Sequence, residues 1–438
     1  MWGLLFVLAL LGLGSTSFTD DEQNRRPTSL HLLSDDFPNA LCLDGSPGAF
    51  YFTPSAPTSP SSDTWVIFFE GGGWCFSDSD CSTRATDKSF LSLGSTAALP
   101  SFKNHNPRYQ QSIYSPPLAQ NCDANPAFCE ANHVYLVYCD GNSFSGGRLA
   151  VDGAGETLHY KGKFILDAAL ETLLGLGMES ATEVLVSGDS AGGLATLLHA
   201  DQIGSKLAAS APSLTKFRAL PISGYFPPLD SVEGAPVFSA QMKSAFETHN
   251  ASAGVQVSCL DGKSDAEKWQ CNTSPEALRA IKTPLLLLQS AYDAWSTSCI
   301  YTLNSEGVCG GASGWGLPCV GDASPLGSIL NIYGPSFLCS PSQVAHLNEW
   351  RSTFLSSLRE TGVYDRNGSG AFIHTCHTHT AENLPNAQWI QVGGVKMKDA
   401  VTEWWRANVD EGFRDFGGEV CEWDEKFPHQ CNPTCIIT

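Results

Sequence analysis

The segment that most narrows the fold is Gly188-Asp-Ser-Ala-Gly192, which joins the β-branched run Glu183-Val-Leu-Val-Ser187 to an apolar stretch, Leu194 to Gln202, that reads as a helix. A strand that becomes a helix within five residues must turn sharply. The residues two positions either side of the central serine then have to be small, because the two backbones meet there. A strand ending in such a turn requires other strands beside it and helices returning the chain between them.

The remaining sequence supplies those elements. Trp65-Val-Ile-Phe-Phe69 runs into Gly71–Gly73, Val134-Tyr-Leu-Val-Tyr138 into Cys139-Asp-Gly141, and Leu285-Leu-Leu-Leu288 into Gln289-Ser-Ala-Tyr-Asp293. Continuous apolar runs, rather than alternating ones, fit parallel strands covered on both faces. Lys161 to Met178 carries Ile165, Ala168, Ala169, Leu173 and Leu176 at helical spacing. Ser340-Pro-Ser-Gln343 has the form of a capping box with proline at the first helical position, opening a helix to about Glu360 that Gly362 stops. The expected class is α/β: a mostly parallel central sheet with helices on both faces, and ligands bound beyond the carboxyl ends of the strands.

A chain of 438 residues, 42% hydrophobic, can bury a large core, and no internal repeat divides it. Thr53–Asp63 and Cys299–Cys319 read as surface loops. The apolar run Trp2 to Leu13, followed by small residues to Ser17 and then Asp20-Asp21-Glu22, has the form of a secretory leader. The expected layout is a leader over 1–17, an extension over 18–40 and one domain over 41–435. No later segment is apolar for long enough to span a bilayer.

Sixteen cysteines fit an oxidising compartment and disulfide-stapled loops. The close pairs Cys75/Cys81, Cys122/Cys129 and Cys431/Cys435 suggest local bridges. Cys435-Ile-Ile-Thr438 resembles a prenylation signal, but a secreted chain never meets that machinery, so Cys435 reads as half of a disulfide. Asn250, Asn272 and Asn367 each begin a glycosylation sequon, the middle one weakened by Pro275. A formal charge of −20 argues against nucleic acid and anionic membrane surfaces as partners.

The serine of the turn, Ser190, is the candidate nucleophile. It needs a base, an acid that orients the base, and donors for an oxyanion. On a strand-turn-helix of this kind the three follow in the order serine, acid, histidine. Asp293, just past the Leu285–Leu288 strand, is the candidate acid; Asp140 also follows a strand but precedes Ser190. His374, His377 and His379 crowd around Cys376 and all three remain open as the base, with a zinc cluster as the rival use of these residues. His199, His346 and His429 read as ordinary helix or loop histidines. The oxyanion donors should be the N–H of Ala191 and backbone groups of the Glu70-Gly-Gly-Gly-Trp-Cys75 loop, where glycines allow close approach.

Taken in order, Glu70-Gly-Gly-Gly-Trp-Cys75, Tyr138-Cys-Asp-Gly141 with Ser143-Phe144 and Gly146, Ser190-Ala-Gly-Gly193, Ala291-Tyr-Asp-Ala-Trp295, Cys339-Ser-Pro-Ser-Gln343 and Cys376-x-x-His379 resemble the pectin acetylesterase family. That family also includes the Notum-type palmitoleoyl-protein carboxylesterases, and the match runs from about Leu41 to Cys435. The resemblance implies an α/β-hydrolase fold with Ser190, Asp293 and His379 as the catalytic triad. It places the oxyanion donors on Gly72, Gly73 and Ala191 and requires no metal or organic cofactor. The activity it implies is a secreted carboxylesterase, extracellular or in the cell wall, removing O-acetyl groups from a wall polysaccharide such as pectin. A Notum-like deacylase acting on an acylated protein is the enzymatic alternative, and an inactive secreted binding protein the non-enzymatic one. Two positions depart from the plant pattern: Asp189 stands where plant members carry cysteine, and Thr380 where they have a cysteine after the catalytic histidine. Asp189 makes the turn look like the hormone-sensitive-lipase type, but that group carries histidine where this chain has Glu70. The C-terminal cysteines are also more widely spaced than in plant members.

Overall fold

A computed structural model describes residues 26–33, 36–87, 92–99, 117–151, 155, 157–315, 319, 339–381, 387–416, 421–425 and 429–435. The expected leader over 1–17 lies outside the described residues. The strands are β1 (Ser29–Leu32), β2 (Ala49–Thr53), β3 (Thr64–Phe69), β4 (Asn132–Leu136), β5 (Arg148–Val151), β6 (Thr157–Tyr160), β7 (Glu183–Asp189), β8 (Lys216–Ile222), β9 (Leu286–Ser290), β10 (Gly370–His374), β11 (Gln391–Val392), β12 (Val395–Lys396) and β13 (Arg414–Asp415). The helices that cover or cap the sheet are α1 (Asp78–Thr86), α2 (Gly162–Gly175), α3 (Ala191–Ser210), α4 (Val237–His249), α5 (Ser274–Ala280), α6 (Pro341–Arg359) and α7 (Met397–Arg406).

Nine strands form one sheet in the order β1-β2-β4-β3-β7-β8-β9-β10-β13, with β5/β6 and β11/β12 as separate two-stranded pairs. From β4 to β13 every pairing is parallel; β1/β2 and β2/β4 are antiparallel. The continuous apolar runs are buried on both sides, as their composition requires. Trp65, Ile67, Phe69, Val184 and Val186 face a core built with Ile165 and Leu173 of α2, Leu194 and Leu198 of α3 and Trp350 of α6. The alternate residues Val66, Phe68, Leu185, Leu220 and Leu288 face a second core with Val401 and Trp404 of α7. Ser340 accepts from Gln343 N while Gln343 Oε1 accepts from Ser340 N at 2.7 Å, so the capping box forms as read, and Gly362 follows the helix with φ 72°. Among the described residues no helix is long and apolar enough to cross a membrane.

Three expectations need correction. The boundary at residue 41 falls inside the fold, because Ser29–Leu32 pairs along β2 as the sheet's edge strand. Arg26 fixes that strand's start, donating to the carbonyls of Pro54, Cys129 and Ala131. Cys299–Cys319 does not begin at the surface: Ile300, Tyr301 and Leu303 are buried, with Tyr301 packed on Trp350 at 5.3 Å, and apolar side chains pull this turn into the core. Cys431 and Cys435 do not pair. The chain's end runs back past β10, so Cys435 bonds to Cys376 and Cys431 to Cys421. Cys75–Cys81 and Cys122–Cys129 are local bridges, and all sixteen cysteines are paired.

Candidate active site

Ser190 stands between the end of β7 and the first residue of α3 with φ 53° and ψ −124°, a conformation that a non-glycine residue holds only where its surroundings enforce it. They do so here. Ser190 N donates to Ile222 O at 3.0 Å, tying the turn to β8. A Cβ at Gly188 would lie 2.4 Å from Gly192 O, and one at Gly192 would lie 2.0 Å from Phe69 O. The glycines flanking the serine are therefore a requirement of β3, β7 and α3 meeting at one point.

Two neighbouring strand ends deliver the partners. Asp293 follows β9 and caps a short turn, its Oδ1 accepting from Ser296 N at 2.8 Å. His379 lies in the loop after β10. The next residue, Thr380, has φ 52°, and its N–H donates to Ser223 Oγ at 3.1 Å, which fixes where the loop turns. His379 Nδ1 is 2.7 Å from Asp293 Oδ2, and His379 Nε2 is 2.8 Å from Ser190 Oγ. The carboxylate can only accept, so Nδ1 carries the proton and Nε2 is left to accept from the serine hydroxyl. Asp293 is 0% exposed, His379 1% and Ser190 9%, so bulk water does not weaken the chain of contacts.

The other titratable groups considered in the sequence sit elsewhere. His374 Nδ1 accepts from Cys376 N at 3.3 Å, and His377 Nε2 lies 3.4 Å from Thr297 Oγ1. Burial holds both rings down to about 4, so they are neutral at ordinary pH. Cys376 is spent in its bridge to Cys435, which removes the thiolate that the rival zinc cluster needs. Asp140 is fully buried, accepts from Asn142 N at 3.2 Å, and has its carboxyl pushed up to about 6 by burial. It does not meet His379.

The Glu70–Cys75 loop lies against the turn, a Cβ on Gly71 falling 2.8 Å from Ser190 Cβ. Asp189, a departure from the plant pattern, and Glu70, from the loop motif itself, hold it there. Asp189 Oδ1 accepts from Gly71 N at 2.8 Å, and Glu70 Oε2 accepts from Tyr138 N at 2.6 Å. Gly73 has φ 62°, the left-handed conformation that favours glycine. Among the described residues, none accepts from the N–H of Gly72, Gly73 or Ala191.

Aromatic rings pack beside the histidine, a group to which no motif assigns a role. Trp74 meets Phe226 at 5.1 Å, Trp295 at 5.5 Å and Phe238 at 6.1 Å. Trp295 meets Phe226 at 5.2 Å and Phe238 at 5.8 Å. Phe226 and Trp295 lie 6.1 and 6.3 Å from the His379 ring. Trp74 Nε1 donates to Ser143 Oγ at 2.9 Å, and that hydroxyl donates to Ala191 O at 2.8 Å, which joins the aromatic group to the start of α3. Trp74 and Trp295 stand in motifs; Phe226 and Phe238 belong to none.

The sequence model of the family described as Pectinacetylesterase matches residues 21–436. Pectin acetylesterase 5 of Arabidopsis thaliana is 29% identical over 403 residues, covering 90% of this chain and 82% of its own. Palmitoleoyl-protein carboxylesterase notum2 of Xenopus laevis is 24% identical over 430 residues, covering 95% of this chain and 75% of its own. The crystal structure of the Wnt deacylase Notum from Drosophila superposes with a TM-score of 0.70 at 21% identity, covering 94% of this chain and 100% of that one.

Proposed function

The chain belongs to the pectinacetylesterase family, and from that membership we propose that it is a secreted serine carboxylesterase removing O-acetyl groups from a wall polysaccharide such as pectin. The observation that carries this reading is the contact series Ser190 Oγ to His379 Nε2 to Asp293, beside a group of aromatic rings. Ser190 Oγ attacks the ester carbonyl while His379 Nε2 takes its proton, and Asp293 stabilises the imidazolium. The N–H groups of Gly72, Gly73 and Ala191 receive the oxyanion. The tetrahedral adduct collapses as the C–O bond to the sugar breaks, and His379 returns the proton to the sugar oxygen. Water, deprotonated by His379, then cleaves the acetyl-serine and releases acetate.

The acetyl preference rests on packing. Trp74, Phe226, Phe238 and Trp295 cluster, with Phe226 and Trp295 6.1 and 6.3 Å from the His379 ring, and side chains this bulky so near the serine favour a two-carbon acyl group over a long chain. The alternative, a Notum-like deacylase, needs a deep apolar pocket there. Secretion is supported by sixteen cysteines with none free, a state the cytosol does not sustain. The charge of −20 further implies that methyl-esterified, weakly charged pectin is the better substrate at low salt.

Hydrolysis of p-nitrophenyl acetate, octanoate and palmitate, with Ser190→Ala alongside, tests the reading. Fast acetate turnover that falls with chain length and vanishes in the variant is the expected result. A preference for the long esters would transfer the proposal to protein or lipid deacylation, and no turnover of any ester would leave a binding protein.

A further inference from the structure

We propose that Arg84 is the positioning residue of the oxyanion loop, holding the Gly72–Gly73 peptide so that the Gly73 N–H faces the ester oxygen. Arg84 lies in the last turn of α1, outside the triad and its contacts. Its Nη1 donates to Gly72 O at 2.9 Å and its Nη2 to Trp74 O at 3.1 Å. In a trans peptide the C=O of one residue and the N–H of the next point in opposite directions. Fixing Gly72 O on the guanidinium therefore fixes Gly73 N–H on the far side, away from α1. A cation on the carbonyl also polarises that peptide and makes its N–H a stronger donor. Between these two anchors, Tyr138 Oη donates to Gly73 O at 2.6 Å, so three consecutive carbonyls are held.

The helix carrying Arg84 is itself fastened to the loop it controls. Cys75, the residue after Trp74, is bonded to Cys81 within α1, and Phe76 N donates to Asp80 Oδ2 at 2.8 Å. Loop and helix thus form a closed unit in which the guanidinium is the internal strut. Gly73 sits at φ 62° and has little intrinsic preference for one orientation, so the strut has something to decide. Arginine suits the task because two nitrogens of one plane reach two carbonyls at a fixed spacing, which a lysine ammonium cannot reproduce.

This inference deepens the oxyanion assignment of the proposed mechanism and rests on it. The test measures kcat and KM for p-nitrophenyl acetate in Arg84→Lys and Arg84→Ala, with melting temperatures recorded beside them. The same variants are titrated with a trifluoromethyl ketone, whose adduct with Ser190 carries an oxyanion. A misaimed donor costs less than the ~10²–10³ of a deleted one, so kcat should fall by about 10- to 100-fold with KM nearly unchanged. The ketone should weaken in the same proportion, and added methylguanidinium should restore part of the activity to Arg84→Ala. Wild-type kcat in folded Arg84→Lys, or a loss confined to KM, would overturn the proposal, and so would a ketone affinity that stays constant while kcat falls. If Arg84→Ala fails to fold, Arg84→Lys alone decides. Turnover that survives in Ser190→Ala would instead overturn the mechanism on which the inference rests.

Discussion

Replacing Asp293 by asparagine keeps the shape of the side chain and changes what it can donate and accept. Ser296 N–H donates to Oδ1 at 2.8 Å, and His379 Nδ1–H donates to Oδ2 at 2.7 Å, both between buried residues. An amide has one acceptor where the carboxylate had two. If its oxygen stays with Ser296, its NH2 meets Nδ1. The imidazole must then carry its proton on Nε2, where it cannot take one from Ser190. If the amide flips, the catalytic tautomer survives, but NH2 faces Ser296 N–H and a buried donor is left unsatisfied, at about 1–3 kcal/mol. In either orientation the imidazolium formed during attack loses a charged hydrogen bond, worth about 1.5–3 kcal/mol. Together these raise the barrier by roughly 2.5–6 kcal/mol, or about 10² to 10⁴ in kcat. Turnover of p-nitrophenyl acetate at saturating substrate, normalised to sites counted with a phosphonate ester, measures this directly. A folded Asp293→Asn enzyme within threefold of the wild-type kcat would refute the reasoning, because Asp293 would then not be orienting His379.

Three further outcomes follow from the geometry. Phe238→Ala opens the aromatic group, and at about 1–3 kcal/mol per accommodated methylene it should raise the octanoate-to-acetate ratio of kcat/KM at least tenfold; an unchanged ratio would remove the ring from the acyl site. Burial lowers His199, His374 and His377 to about 4 and His249 to about 3, so the unfolded chain binds more protons than the folded one below the ordinary value of 6.5. Their stabilisation is complete above 6.5 and is lost as pH falls toward 4, whereas Asp140, raised to about 6, opposes this with a single proton. Urea titrations should therefore show a steep loss of stability from pH 6.5 to 4, and a flat profile would contradict the buried, neutral histidines. In a secreted protein, peptide mapping after enzymatic deglycosylation should find glycans on exposed Asn250 and Asn367. None should occur on Asn272, which is buried with Nδ2 donating to Asn142 at 3.1 Å, and a glycan there would show that this packing is wrong.

What was legible in the sequence is what local chemistry forces. Gly188 and Gly192 mark a place where three backbones touch, and Asp293 stands at a strand end, so pattern and chain order find both. The histidine was harder. His374, His377 and His379 are all buried within six residues, and they are distinguished by the turn at Thr380 on Ser223, a contact between segments far apart in the chain. Arg84, Phe226 and Phe238 left no signal because each acts only after tertiary packing brings its element to the loop. The edge strand Ser29–Leu32 escaped for a related reason: it is short and half-exposed, and its place depends on β2 beside it. The Cys376–Cys435 bridge follows the path of the C-terminal segment, which cysteine spacing does not encode.

The measurement that bears most directly on the proposed activity is acetate release from acetylated pectin, followed by proton NMR, by the secreted protein and its Ser190→Ala variant. Steady release by the wild-type protein, lowered at least a thousandfold in the variant, is the expected result, given that loss of a triad nucleophile removes most of the catalysis. Equal release by both proteins would contradict the serine mechanism, and absence of release by the wild type would contradict the substrate.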